Sequence, residues 1–195
     1  MTKQPPRRQR EVLELVDESA PQGVTLTHRH ELEAPLESFE EFYRREQPHL
    51  LVLARALAGD LAAEDVAQES MLLAYRQWPR ISNLANPVGY VRGICAHKAV
   101  SLVRRRLSER RAMLRLAGRP VSGVEPLAGD REQFWAEVRR LPKRQAQVTA
   151  LFYALDLPVS EVAATLGCAE GTVKVHLSRA RSELAVRLAA REERS

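Results

Sequence analysis

The stretch Val159 to Leu184, VSEVAATLGCAEGTVKVHLSRARSEL, decides how the rest of the chain is read. Val162, Ala163, Leu166 and Gly167, followed by Thr172, Val173 and Leu177, give a short helix, a glycine-containing turn and a second helix, the pattern of a helix-turn-helix. The small Ala163 lets two helices approach, and Gly167 frees the backbone at the turn. On the second helix Val173, Leu177, Ala180 and Leu184 share one apolar arc, which leaves Lys174, Val175, Ser178, Arg179 and Ser182 outside it. Outward residues of these types suit the major groove of duplex DNA: Lys and Arg reach guanine acceptors or phosphates, and Val175 meets a thymine methyl. An ordinary helical hairpin with a basic solvent face has the same period, but the spacing from Ala163 to Gly167 and the start of the second helix agree with the DNA-binding motif. Ala169 stands where a capping Ser or Thr is usual.

Upstream of this motif the helical period begins at Arg131 and continues through Phe134, Val138, Leu141, Val148, Leu151, Phe152 and Leu155, so residues 131–190 form a helical domain. Residues 108–130 carry Gly118, Pro120, Gly123, Pro126 and Gly129 and read as a flexible linker. Residues 36–107 form another helical domain. Its first helix carries the stripe Phe39, Phe42, Tyr43, Leu50, Leu53 and Leu57 and ends near Gly59. Asp60 is expected to cap a second helix running to Trp78, with Val66, Ser70, Leu73 and Ala74 inward and Asp65, Gln68, Glu69 and Leu72 on a separate, coherent surface. Ile81 to Ala85 is a connector. Asn86 and Pro87 then supply an N-cap and a favoured first residue for a third helix, expected to run to about Arg106. Residues 1–35 read as a flexible extension, in which a helix from Arg10 to Glu18 is too short to be stable alone. The fold class is all-α, two small helical domains joined by a linker.

Composition agrees. Hydrophobic residues make up 45% of the 195, enough for a core, while aromatics at 5% argue against a β-sandwich or barrel. The net charge of +5 permits a polyanionic partner, and its distribution says more. Residues 36–75 hold three basic and eight acidic groups, a net −5, whereas residues 76–111 hold nine basic and one acidic, a net +8. A reversal that sharp suggests different partners on adjacent surfaces. Cys95 and Cys168 cannot make a disulfide framework, no run is long enough for a membrane span, and the start lacks a signal peptide's apolar stretch, so a cytoplasmic location is expected.

The third helix supplies a second nucleic-acid surface. Val88, Val91, Cys95, Ala99 and Leu102 point to the core, while Tyr90, His97, Ser101 and Arg104 fall within roughly 60° of one another on the other side, and Arg105 and Arg106 extend the charge. A basic helix with an aromatic, beside a connector bearing Trp78, Asn83 and Asn86, suits single-stranded nucleic acid, because cations track phosphates and aromatics stack on unpaired bases.

Taken in order, these runs resemble a family. Ala63-Glu64-Asp65-Val66-Ala67-Gln68-Glu69, Ala74-Tyr75, Pro87-Val88-Gly89-Tyr90-Val91-Arg92-Gly93-Ile94 and Arg104-Arg105-Arg106 resemble region two of bacterial extracytoplasmic-function (ECF) sigma factors. Leu141-Pro142-Lys143-Arg144-Gln145, Ser160-Glu161-Val162-Ala163 and Gly171-Thr172-Val173-Lys174 resemble region four. The resemblance spans about residues 36 to 188. It implies that Asp65, Gln68, Glu69 and Leu72 grip the clamp helices of the largest subunit of core RNA polymerase, with the flap of the second-largest subunit as a further contact. It implies that Trp78, Asn83, Asn86, Tyr90, His97, Ser101, Arg104 and Arg105 capture the melted minus-ten strand of promoter DNA. Thr172, Lys174, Val175, Ser178, Arg179, Arg181 and Ser182 would read the minus-thirty-five element. An anti-sigma factor is a further partner the resemblance implies. Family members commonly carry Asn and Asp where this chain has His97 and Ser101.

Two other classes compete. The run Gly171 to Leu177 also resembles the output domain of LuxR-type regulators, but residues 36–107 show only helical periodicity and none of the strand-helix alternation of a receiver domain. An enzyme with Cys95 and His97 as nucleophile and base fails on geometry, since two residues apart on a helix they point about 160° from each other. The five histidines show no metal-ligand spacing with either cysteine, and no glycine-rich phosphate loop is present. Neither catalysis, cofactor nor metal is expected.

Overall fold

The computed structural model describes residues 37–117 and 129–193, all within one contact unit, Pro35–Ser195. The expected helix over residues 10–18 and the glycine- and proline-rich heart of the linker lie outside the described residues. Among those described the secondary structure is helical throughout: α1 (Phe39–Ala58), α2 (Asp60–Arg76), α3 (Trp78–Ile81), α4 (Pro87–Ala117), α5 (Asp130–Arg140), α6 (Lys143–Tyr153), α7 (Val159–Leu166) and α8 (Glu170–Glu192).

A capping box starts α1: Ser38 Oγ accepts from the Glu41 amide at 3.2 Å while Glu41 Oε2 accepts from the Ser38 amide at 3.0 Å. These bonds to Ser38 hold the Glu41 carboxyl below its ordinary pKa. The helix passes through Pro48, forfeiting a backbone bond, and relies on tertiary packing of Phe42, Leu50, Leu53 and Leu57, all essentially fully buried. Gly59, at φ 81°, ends α1 in a conformation open to glycine alone at little cost. Here the expectation for Asp60 is corrected. Gly59 occupies the N-cap, and Asp60 is the first helical residue, its carboxylate paired with Arg55 Nε at 2.7 Å.

The second helix is also shorter than expected. It stops at Arg76, and Trp78–Ile81 form the separate turn α3 with Pro79 at its start, where a proline costs least. Asn86 caps α4 as expected, its Oδ1 accepting from the Gly89 amide at 2.7 Å. That helix continues to Ala117 instead of ending near Arg106, because residues 107–116 are Leu, Ser, Glu, Arg, Ala and Met, with neither glycine nor proline to break it.

α1, α2 and α4 pack around Val66, Ala74, Val91, Cys95 and Ala99, and α5 to α8 pack around Val138, Val148, Leu151, Val162, Val173 and Leu177. One ion pair is buried in the first group: Arg92 Nη2 lies 2.8 Å from Glu46 Oε2. In the second group Glu137, 4% exposed, receives Arg140 and lies within 3.9 Å of Arg187 and Arg191, which fastens the end of α8 to α5. The two helical groups share a continuous core, for α4 packs on α7 and α1 packs on α5 and α6. Gly93 is a point of close approach between them. A β-carbon there would sit 3.0 Å from the Thr165 carbonyl oxygen.

Candidate nucleic-acid interface

Asp65, Gln68, Glu69 and Leu72 all face solvent on α2. Leu61, 99% exposed, and Tyr75, 62% exposed, extend the same side, at spacings of three and four residues that place Leu61, Asp65, Gln68, Leu72 and Tyr75 in one stripe. The sequence reading missed Leu61 and Tyr75 as surface residues, although that spacing was there to find. Glu69 also reaches Lys98 Nζ at 3.1 Å, which ties α2 to α4 at the edge of the stripe.

The connector divides the expected strand-binding residues into two kinds. Asn83 and Asn86 are exposed, and each holds a local backbone group: Asn83 Nδ2 donates to the Pro79 carbonyl at 2.8 Å, and Asn86 caps α4. Trp78 requires correction as a stacking platform. It is 7% exposed, with its ring centroid 4.7 Å from that of Phe42 and 5.4 Å from that of Phe39. The turn α3 folds it inward, so it belongs to the aromatic core.

On α4, Ser101, Arg104 and Arg105 are exposed and Tyr90 is half-buried against the core. His97, expected on the solvent side, is half-buried, since α6 lies over it. Its Nδ1 is 3.2 Å from Lys143 Nζ. Burial, followed by the charges of Lys143, Arg144 and Lys98, pushes the His97 pKa down, and burial with Arg144 and Arg104 lowers that of Lys143. The neutral imidazole accepts a hydrogen bond from the ammonium.

The helix-turn-helix is built as its sequence implies. Gly167 adopts the left-handed conformation, φ 62° and ψ 41°, and the Cys168 amide bonds back to the Ala163 carbonyl at 3.0 Å. Val173, Leu177, Ala180 and Leu184 are each no more than 4% exposed. Thr172, Lys174, Val175, Ser178, Arg179 and Ser182 remain on the surface of α8. Arg181 is exposed too but engaged: its Nε donates to Tyr153 Oη at 2.7 Å, and its guanidinium carbon sits 5.8 Å from the ring centres of both Phe152 and Tyr153. This aromatic anchor on α6 was not read from the sequence.

Cys95 is not set up as a nucleophile. Burial pushes the Cys95 thiol up to about 12, and its Sγ lies 3.7 Å from the Leu50 carbonyl oxygen. Among the described residues no group of His, Cys, Asp and Glu is placed to hold a metal ion, and no helix is long and apolar enough to cross a membrane.

Residues 42–109 match the family described as Sigma-70 region 2, and residues 131–184 match Sigma-70, region 4. The RNA polymerase sigma-E factor of Streptomyces coelicolor is 30% identical over 155 residues, 79% of this chain and 88% of that one. The factor of the same name from Streptomyces avermitilis is 29% identical over 79% of this chain and 87% of its own length. In fold the chain is similar to the sigma factor RpoE of Bartonella quintana, solved with the anti-sigma factor NepR, at a TM-score of 0.59 and 24% identity over 77% of this chain and 96% of that one. It is also similar to CnrH, solved with the cytosolic domain of CnrY, at a TM-score of 0.55 and 21% identity over 78% and 88% of the two chains. With both regions matched in order along one chain, and a relative 30% identical over 88% of its own length, the chain belongs to the sigma-70 family, in its extracytoplasmic-function group.

Proposed function

We propose that the chain is a promoter-specificity subunit whose two helical groups engage core RNA polymerase and the two promoter elements by separate surfaces. The α2 stripe, with Asp65, Gln68 and Glu69 around Leu72, docks on the clamp helices of the polymerase. Asn83, Asn86, Tyr90, His97, Ser101, Arg104 and Arg105 hold the melted minus-ten strand. Lys174, Val175, Ser178, Arg179 and Ser182 read the minus-thirty-five duplex, with Thr172 at the start of the helix and Arg181 braced on Tyr153 beside them. Catalysis belongs to the polymerase. The observation that carries this reading is the pairing, in one chain, of a helix-turn-helix whose outward side chains are open with an exposed carboxylate-bearing stripe on α2. A regulator of the LuxR type accounts for α8 and leaves that stripe and the region 2 match without a purpose.

Because the two solved structures named above each hold a second protein, we also infer an anti-sigma partner. The deciding experiment is run-off transcription with purified core polymerase and pooled genomic fragments, using the unaltered chain and Asp65→Lys/Glu69→Lys. The unaltered chain should give discrete transcripts and the charge-reversed chain should lose polymerase binding while its helix-turn-helix still binds duplex. Absence of transcripts, or unchanged polymerase affinity after the reversal, would refute the assignment.

A further inference from the structure

The seam between the two helical groups gathers positive charge from both sides. Lys143 and Arg144, in the first turn of α6, face His97 and Lys98 on α4, and Arg104 acts on Lys143 from further along α4. Lys98 is occupied by Glu69 at 3.1 Å. Among the described residues Arg104, Lys143 and Arg144 meet no carboxylate: Lys143 reaches the ring of His97, and Arg144 the Gln147 side-chain oxygen at 3.4 Å. The start of α6 adds to the excess. Its N-cap, Pro142, offers no side-chain acceptor, and its first turn holds no acid. Its first backbone bond runs from the Ala146 amide to the Pro142 carbonyl, so the preceding amides have no partner within the helix, and the positive end of the helix dipole lies at the seam. Charges of one sign brought together on half-buried groups repel unless an anion lies between them.

We propose that this seam is a binding site for a multiply charged phosphate anion, an oligophosphate, which Lys143, Arg144, Arg104 and His97 hold and which clips the two helical groups together. A helix N-terminus and an arginine fork both suit phosphate oxygens. The size of the ligand follows from spacing. His97 and Arg104 lie about 20° apart around α4 and about 10 Å apart along its axis, more than one phosphate group spans and a fit for several linked ones. A site assembled from α4 and α6 exists only while the groups are packed, so the ligand favours the closed arrangement by mass action. His97 and Arg104 also belong to the strand-binding set. On the strand-capture reading of α4 given above, a bound oligophosphate and the minus-ten strand therefore exclude one another.

The test titrates the full chain with inorganic tripolyphosphate by calorimetry at matched ionic strength, with sulfate as the single-anion control. The unaltered chain should bind one tripolyphosphate, about tenfold or more tightly than sulfate, and its Tm should rise with added ligand. Lys143→Gln/Arg144→Gln should lower the affinity about tenfold or more. Arg110→Gln/Arg111→Gln removes the same charge from exposed positions further along α4 and should not. Gly93→Leu keeps every cation but sets a β-carbon 3.0 Å from the Thr165 carbonyl oxygen, which pries α4 from α7, so it should weaken binding too. Circular dichroism checks that each variant is folded. Absence of binding by the unaltered chain would overturn the proposal. Equal losses in the two charge variants would do so as well, leaving only net charge at work, and so would undiminished binding by folded Gly93→Leu. A minus-ten single strand is titrated in parallel. If Lys143→Gln/Arg144→Gln lost the strand and kept tripolyphosphate, these cations would belong to DNA and the proposal would fail. Normal tripolyphosphate binding without competition from the strand would instead refute the strand-capture reading of α4 and leave the site standing.

Discussion

His97 Nδ1 lies 3.2 Å from Lys143 Nζ, and this contact joins the middle of α4 to the first turn of α6. Both groups have pKa values below their ordinary ranges, burial being the first cause for each. The helix expected to offer His97 to a DNA strand offers it to the other half of the molecule. Beside it, Gly93 lets the Thr165 carbonyl approach within a distance that any side chain would contest. The closed arrangement and the strand-binding surface therefore share residues.

The pH dependence follows from that contact. An unfolded histidine takes up a proton near pH 6.5, and folded His97 resists it, because burial disfavours the charged ring and the new charge would face Lys143, Arg144 and Lys98. The unfolded state thus binds more protons, so stability is full above the ordinary histidine value and falls as pH drops through it, until the folded group also charges. His176, depressed by burial, Arg179 and Arg144, acts in the same direction. Urea midpoints should be lower at pH 5.5 than at pH 7.5, and His97→Gln should shrink the difference, leaving the share of His176. An unchanged difference in the variant would show that the contact does not hold the proton off.

Much of this architecture was legible from periodicity. The buried stripes of α1 and α8, the Gly167 turn and the Asn86 cap follow from local chemistry acting within a few residues. What escaped depends on partners distant in sequence. His97 sits on the polar side of α4 by any helical wheel, and only the packing of α6 over it buries it. Trp78 reads as a connector aromatic until the four-residue turn α3 swings it onto Phe39 and Phe42. The extra turns of α4 were missed because residues rich in arginine resemble a solvated end, though nothing in them stops a helix.

Glu46 and Arg92 give a stability prediction. Their side chains are 4% and 11% exposed, and Arg92 reaches Glu46 Oε2 through both Nη2, at 2.8 Å, and Nε, at 3.0 Å. Removing one partner strands the other charge in the core. Glu46→Ala should cost about 3 to 5 kcal/mol in urea unfolding, and Glu46→Leu/Arg92→Met together should cost less than the single change. If the double variant is worse, the pair contributes net stability beyond its desolvation cost.

Trp78 separates packing from strand binding. Its buried Nε1 finds no hydrogen-bond partner among the described residues, so the ring's value is its contact with Phe39 and Phe42. Trp78→Phe keeps the aromatic contact and removes the orphaned donor, and should change stability by less than about 1.5 kcal/mol, whereas Trp78→Ala should cost about 3 to 5 kcal/mol. Single-stranded minus-ten affinity should survive the Phe change. A Phe variant of normal stability that lost that affinity would return Trp78 to the DNA surface.

Ala169 marks a place where the fold can be improved. It has the extended N-cap backbone, φ −75° and ψ 149°, yet no side-chain oxygen to satisfy the first amides of α8. The Thr172 amide turns instead to the Ala169 carbonyl at 2.9 Å. A serine there keeps the same backbone and supplies the missing acceptor, so Ala169→Ser should stabilise the chain by about 1 kcal/mol, raising Tm by about 2 to 4 °C. Duplex affinity should be unchanged, because Lys174, Val175, Ser178 and Arg179 lie beyond the capped turn. If stability rises while affinity falls, the uncapped amides at the start of α8 must themselves hold a phosphate, and the serine competes with DNA for them.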